Sequence, residues 1–508
     1  MKIQNALKNS VSGSFLKLTK IILNFITRTV FIYMLGSEFV GLNGLFLNVL
    51  LIFSLSELGI ELSIAYCLYK PVSENDEYKI NAYMTIFAKL YRVVAIVILT
   101  LGIITMPFVH YLIDENPFDL NFLRFVFLLF IIEVSVSYLF SYRSIILKVN
   151  EKLYTINVVQ IIAAVAIFAF QVFFLVLTRN YIAYKAAEVV IQVAVNICLF
   201  IIAAKYFPNV KVGMQYKLSK EDISILIDRI KSAFLNRLSP TVTATASTLF
   251  ISYFFGIYTT GLFANYNLII TVSVFSIIAR ILNGATAGFG NLIAKGNDIK
   301  RDFYNFFFIG FWIASFSFTF LLILINPFII LWIGNDFLLP VPIVVLMLSV
   351  FYIHSSSYVV MVMREAAGLF VHDKKVSLLK PVINIVCSLT LIHFYGLIGV
   401  FLGALISSVV CDIILFPFYL YKKLIKENLF EYFKRYGIYL CVTGINSVLC
   451  LAIKHLLNNL NNQLIIFLIS CFVCITIPNL IIVILFNKTD EFKYFLTVFR
   501  KNILKRTT

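Results

Sequence analysis

Long apolar runs broken by short polar segments set the pattern of this chain. A helix that crosses a bilayer needs about 20 mostly apolar residues. Fourteen stretches meet that length: 13–35, 41–66, 84–109, 121–142, 155–177, 184–204, 233–255, 261–285, 304–327, 340–362, 377–395, 397–420, 437–454 and 463–486. The first follows only two basic residues, Lys2 and Lys8, and carries polar residues throughout, so it reads as an uncleaved span rather than a signal peptide. The predicted fold class is an all-α polytopic membrane protein of about fourteen transmembrane helices.

An even number of spans returns the chain to its starting side. With both termini inside, the cytosolic segments are 1–12, 67–83, 143–154, 205–232, 286–303, 363–376, 421–436 and 487–508. They hold thirty Lys and Arg, and the opposite loops hold one, Arg179. Basic residues collect on the cytoplasmic side of membrane proteins, so this asymmetry orients the chain with both termini cytosolic. It also accounts for the net charge of +17 without a nucleic-acid partner.

Composition narrows the class further. The 508 residues are 61% hydrophobic and 13% charged, against about 25% charged in soluble domains. That excludes an ordinary soluble enzyme, a disordered chain and a fibrous repeat. The longest inner gap, 205–232, is too short for a catalytic domain, and no P-loop GxxxxGK[ST] occurs. Neither an enzymatic activity nor a cofactor is predicted. Cys471 and Cys474 form a CxxC with no second pair nearby, and read as small packing residues rather than a metal site. His354, His372 and His393 lack ligand spacing.

A shift of 220 positions aligns 12–42 with 232–262. Ser12 falls on Ser232, Lys17 on Arg237, Leu18 on Leu238, Tyr33 on Tyr253, Gly36 on Gly256, Gly41 on Gly261 and Leu42 on Leu262. Span one thus matches span seven, which predicts two six-helix bundles of like topology. The implied division is an N-terminal bundle at 1–204, a cytosolic linker at 205–232, a second bundle at 233–420, and two extra helices with a basic tail at 421–508. Parallel repeats of this kind recur in transporters, with the substrate path between the halves.

Ionisable residues inside a membrane face a bundle interior or a water-filled cavity. At about 100° per residue, Lys17, Lys20, Asn24 and Arg28 share one face of span one. Lys17 and Lys20 are near enough to the inner headgroups to snorkel; Arg28 is past the midpoint. In span two, Asn43, Ser54, Glu57 and Glu61 share a face. Those two carboxylates sit at the depth of Lys17 and Lys20 and are expected to pair with them; a coupling-ion role for Glu57 is the alternative. Glu133 lies mid-span in span four and is a further charge-pairing or coupling candidate. Span seven places Arg237 and Thr241 on one face, and span eight carries Arg280, either a cavity residue or a headgroup snorkeller. Lys185 and Glu188 read as a local pair. Gly399, Gly403 and Ser407 recur every four residues and read as a close helix contact. Gly284 and Gly288 end span eight in a similar way. A cavity rich in Lys and Arg suits an anionic substrate, and the Arg fork suits phosphate oxygens.

The opening of each half resembles polysaccharide transporters. YMLGSEFVGLNGLFLNVLLIFSLSELGI carries a Tyr-x-x-Gly turn, a Gly-Leu pair and a Ser-x-x-x-Leu-Gly stretch, and FISYFFGIYTTGLFANYNLI is its partner. With the fourteen spans and basic tail, the chain resembles Wzx-type flippases of the multidrug/oligosaccharidyl-lipid/polysaccharide exporter superfamily. The resemblance implies two six-helix bundles around a central cavity, alternating access, and a lipid-linked oligosaccharide on a polyprenyl pyrophosphate carrier. It implies the bacterial cytoplasmic membrane as location, with membrane lipids, a polysaccharide polymerase and chain-length machinery as partners. The cationic residues Lys17, Lys20, Arg28, Arg237 and Arg280, with the polar Asn24 and Thr241, match such a substrate. The alternative is an ion-coupled antiporter of the same superfamily, carrying a drug or a lipid-linked peptidoglycan precursor.

The orientation is directly testable. Topology reporters fused at 116 and at 220 are expected to read opposite sides of the membrane; identical readouts would refute the fourteen-span map.

Overall fold

The computed structural model describes residues 2–504, except 58, 114–116, 287–288, 291–292, 294–298, 370–373 and 458–461. Gly288 and His372 lie outside the described residues. The chain is all-helical, 91% helix, with no strand among the described residues. Twelve described helices are long and apolar enough to cross a membrane.

The difference between twelve and fourteen has two local causes. Lys220–Asn283 is one helical stretch of 64 residues that carries two of the expected spans. Its backbone turns at Gly256, with φ 75° and ψ 173°. The expected span 41–66 is instead broken. Ser37–Phe53 is α-helical, Ser54–Glu57 is a 3-10 turn, and Ile60–Glu74 starts a new helix after Gly59, whose φ is +92°. The Ser54 hydroxyl competes for backbone groups, and Gly59 enters the left-handed region that other residues avoid. A side chain at Gly59 would also run into Ala233 and the backbone of Phe234.

The helices form two compact units, Met1–Ala264 and Asn265–Thr508. In the first, Lys2–Leu35 lies along Leu153–Thr178, and Leu120–Ser141 packs between Glu77–Thr105 and Tyr181–Tyr206. In the second, Ile299–Ile333 is packed by Val341–Ala366, Phe430–Leu457 and Gln463–Phe486. Lys374–Tyr395 and Leu397–Ser408 form a tight hairpin around Gly396. Gly399 and Gly403 let their helix touch the backbone of the other at Leu391 and Ser388. Ser388 Oγ donates to the Val400 carbonyl at 3.1 Å. The small-residue series is therefore a close helix contact, as its spacing predicts. Cys474 is buried with Cys450, Ile323 and Leu324, an apolar packing role.

The repeat leaves a geometric signature inside the first unit. Gly36 has φ 88° and ψ 178°, close to the values at Gly256, 220 positions later. A Cβ on Gly41 would strike the Ile257 carbonyl, and a Cβ on Gly261 would strike the Ser37 carbonyl. Residues 37 and 41 thus meet 257 and 261 reciprocally, the contact pattern a two-fold axis imposes. One turn on, a Cβ at Gly44 would lie 3.9 Å from that of Ala264, an ordinary contact at the next repeat-related pair. Only glycine admits two helices this close, and overpacking costs about 1–3 kcal/mol. Gly41→Ala and Gly261→Ala are each expected to destabilise the detergent-solubilised protein by about that amount in thermal unfolding. Gly44→Ala should be close to neutral; equal effects at all three positions would refute the reciprocal contact.

Candidate functional site

The stripe on the Lys2–Leu35 helix changes environment along its length. Lys20 Nζ donates to Gln160 Oε1 at 3.1 Å on the neighbouring Leu153–Thr178 helix, with Lys17 as an electrostatic neighbour. Asn24 is exposed. Arg28 is half-buried beside Tyr181 and Tyr184. One turn further, Phe31 meets both tyrosine rings edge-on, at 5.8 and 4.8 Å. The Tyr181 hydroxyl donates to Asn43 Oδ1 at 3.3 Å. Among the described residues no carboxylate lies within ion-pairing distance of Arg28.

The carboxylates of span two have partners other than the expected ones. Glu61 pairs with Lys148, and Glu57 accepts a hydrogen bond from the Tyr91 hydroxyl at 3.1 Å. The expected pairing with Lys17 and Lys20 is thus corrected. The reason is the 3-10 turn and Gly59: the shared-face argument assumed a continuous helix, and the break re-aims both side chains. Arg237 is exposed and is among the electrostatic neighbours of Glu57, so the structure brings these two predicted residues together. Thr241 spends its hydroxyl on the Arg237 carbonyl at 2.8 Å, within its own helix. Arg280 lies in the second unit, exposed on the Ser276–Asn283 helix.

Glu133 belongs to the most buried ionic cluster of the first unit. Lys185 is 1% exposed, with Nζ 2.7 Å from Glu133 Oε2 and 3.0 Å from Glu188 Oε2. Its ammonium also sits 3.8 Å from the centre of the Phe130 ring. Gln171 Nε2 adds a long hydrogen bond, 3.4 Å, to Glu188. The local Lys185–Glu188 pair is present as expected, with Glu133 as a third member.

Sequence reasoning missed a cluster in the second unit. Lys380 Nζ donates to both oxygens of Asp412, at 2.8 and 2.6 Å, and His354 Nε2 lies 3.3 Å from Asp412 Oδ2. The available signal was a single ionisable residue inside each of two apolar runs, VVCDIILF and SLLKPVIN. Near a span end, Lys380 reads as a snorkelling lysine. Among the described residues no group of three or more His, Cys, Asp or Glu could hold a metal ion.

With these geometries in place, comparison with solved structures defines the class of fold. The chain matches a lipid II flippase MurJ in an inward closed conformation, with TM-score 0.65 and 14% identity, covering 94% of this chain and 98% of that one. It also matches an inward-facing multidrug resistance MATE family transporter of the MOP superfamily, with TM-score 0.62 and 14% identity over 79% and 94% of the two chains. A mutant of the Vibrio cholerae MATE transporter VcmN gives TM-score 0.59 and 13% identity over 84% and 98%. The chain therefore has the fold seen in MurJ and MATE transporters. No family model matches the chain, and a search of curated proteins finds no match.

Lys185 yields a stability prediction. Removing the buried cation from between two half-buried carboxylates leaves uncompensated charge, at a cost of up to about 3–5 kcal/mol. Lys185→Met is expected to lower the unfolding midpoint sharply. Glu188→Gln, which leaves the Lys185–Glu133 pair intact, should cost clearly less. Thermal unfolding in detergent separates the two, and equal losses would refute the assignment.

Proposed function

We propose that this chain is a membrane transporter that carries an undecaprenyl-pyrophosphate-linked oligosaccharide across the bacterial cytoplasmic membrane by alternating access. In this reading both termini are cytosolic, and the product feeds capsule, O-antigen or exopolysaccharide assembly. The observation that carries it is Arg28: a half-buried guanidinium with no carboxylate in ion-pairing range among the described residues, at the end of a stripe of Lys17, Lys20 and Asn24. A charge in such surroundings is costly unless it meets water or an anion, and a pyrophosphate is an anion that an Arg fork fits. The likeness of fold to MurJ supports the transporter reading, and the thirty-to-one basic asymmetry supports the orientation.

The repeat supports two bundles, 1–204 and 233–420, with helices 421–508 outside them; Arg237 and Arg280 both fall in 233–420, and Arg237 packs within the compact unit Met1–Ala264. Polymerase and chain-length machinery are proposed partners, as consumers of the exported unit. No ATP motif is present, so an ion gradient or the membrane potential drives the step; one elementary charge across 100 mV is worth about 2.3 kcal/mol. A second reading is favoured by one observation. The MurJ match covers 94% of the chain, so a lipid-linked peptidoglycan precursor with the same pyrophosphate carrier is the alternative substrate.

Arg28→Ala is expected to abolish export with the protein still folded and in the membrane. Arg28→Lys should keep part of the activity if charge alone matters, and lose about tenfold or more if bidentate phosphate contact matters. The measurement is lipid-linked oligosaccharide on the cytosolic leaflet, with protein level followed in parallel. Proteoliposomes loaded with lipid II in place of the oligosaccharide distinguish the two substrates. Normal export of both by a well-expressed Arg28→Ala variant would refute the role of Arg28.

A further inference from the structure

Three helical segments of the second unit carry ionisable side chains into one buried cluster. His354 comes from Val341–Ala366, Lys380 from Lys374–Tyr395 and Asp412 from the π-helical turn Val409–Leu415. The Lys380 and Asp412 side chains keep 13% and 11% of their exposure, and His354 keeps 33%. Lys380 Nζ holds both Asp412 oxygens and also lies 3.3 Å from His354 Nε2. The same Nε2 is 3.3 Å from Asp412 Oδ2 and 3.1 Å from Ser408 Oγ.

One ring nitrogen therefore faces partners with incompatible demands. Toward an ammonium, Nε2 must present its lone pair; toward a carboxylate it must carry a proton. In the tautomer that presents its lone pair, Nε2 is an acceptor for Lys380 or Ser408 while Lys380 holds Asp412. A proton on Nε2 would set two cations 3.3 Å apart, and in apolar surroundings that repulsion is only weakly screened. The same proton would offer Asp412 a replacement donor.

We propose that His354 Nε2 is a proton-binding site, and that the bound proton switches Asp412 from Lys380 to His354. The proton arrives from water and returns to water, and the ammonium displaced from Asp412 becomes the mobile charge. That this proton powers transport rests on the transporter reading above; that it binds at His354 does not.

The helices are built to allow the exchange. Pro381, next to Lys380, has no N–H for the Ser377 carbonyl, and Pro417 has none for the Ile413 carbonyl, just after Asp412. Asp412 itself sits in a π-helical turn, a feature that recurs at functional sites.

Few other titratable groups face the cluster. From Phe430–Leu457, Tyr432 and Tyr436 have Asp412 among their electrostatic neighbours. Cys411 adjoins Asp412 and Lys380. Leu268–Phe275 presents the Phe275 ring, 6.4 Å from the imidazole, and Leu397–Ser408 presents Ser408. Ser276–Asn283 carries Arg280, and Ile299–Ile333 has its charged residues in its first turn. On the His354 helix itself, Tyr358 takes a hydrogen bond from Asn283, and Arg364 stacks on Phe416 at 3.7 Å.

The test uses the full chain in nanodiscs with ring-labelled histidine. Five histidines give few signals, and His354→Gln identifies the one in question. The expected result is a His354 signal that titrates, with proton affinity raised about tenfold or more by Lys380→Met and lowered by Asp412→Asn. An unchanged midpoint in Lys380→Met would overturn the proposal. A second readout keeps the test independent of whether Asp412→Asn folds. Amide exchange over 376–382 and 409–415, corrected for intrinsic rates, should rise on acidification in the unaltered protein and not in His354→Gln. An equal rise in both would overturn the partner exchange. Neither readout needs a transported substrate, so failed export with intact titration would refute only the reading of function.

Discussion

Charge inside an apolar slab must be compensated, and that constraint organises this protein. A lone ion deep in a bilayer costs several kcal/mol or more, so each intramembrane Lys, Glu or Asp needs a partner from a neighbouring helix. Lys185 takes Glu133 from a neighbouring helix and Glu188 from its own, and Lys380 takes Asp412. These pairs tie neighbouring helices together, beside hydrogen bonds such as Asn196 Nδ2 to Ser137 Oγ. In lipid, apolar packing alone does little to fix which helix faces which. Among the described residues, Arg28 differs in having phenols rather than carboxylates beside it, which is the basis for proposing that it meets an external anion.

The second constraint is on the backbone. Gly36 and Gly256 turn the chain with nearly the same positive φ, and Gly41 and Gly261 bring the turned segments into contact. A non-glycine residue fails at the first pair for conformational reasons and at the second for lack of space. Conformation and packing thus select glycine at the same four repeat-related places, which is why the repeat is visible as glycines even where the apolar residues have drifted.

Legibility from sequence follows from the range of the interaction. The spans and the repeat depend on local hydropathy and on fixed glycines, both of which can be read along one line. The close contact at Gly399 and Gly403 was legible for the same reason. The partners of Glu57 and Glu61 were not, because a periodicity argument extends a helix through Ser54–Glu57 that the backbone does not continue. Lys380 and Asp412 were missed because each looks solitary in sequence; their pairing exists only once two helices fold back on each other across Gly396.

The two buried ionic clusters show what composition adds to the same constraint. Lys185 with Glu133 and Glu188 contains no group that ordinarily titrates near neutrality, and its single cation is closed in by the Phe130 ring. Lys380 with Asp412 is neutral as a pair, but the His354 imidazole beside it offers a nitrogen that can take up a proton. The first cluster therefore works as a fixed strut between helices. The second has one carboxylate and two competing cationic partners, so the same need for compensation that holds Lys185 in place makes the Lys380–Asp412 pairing depend on a proton.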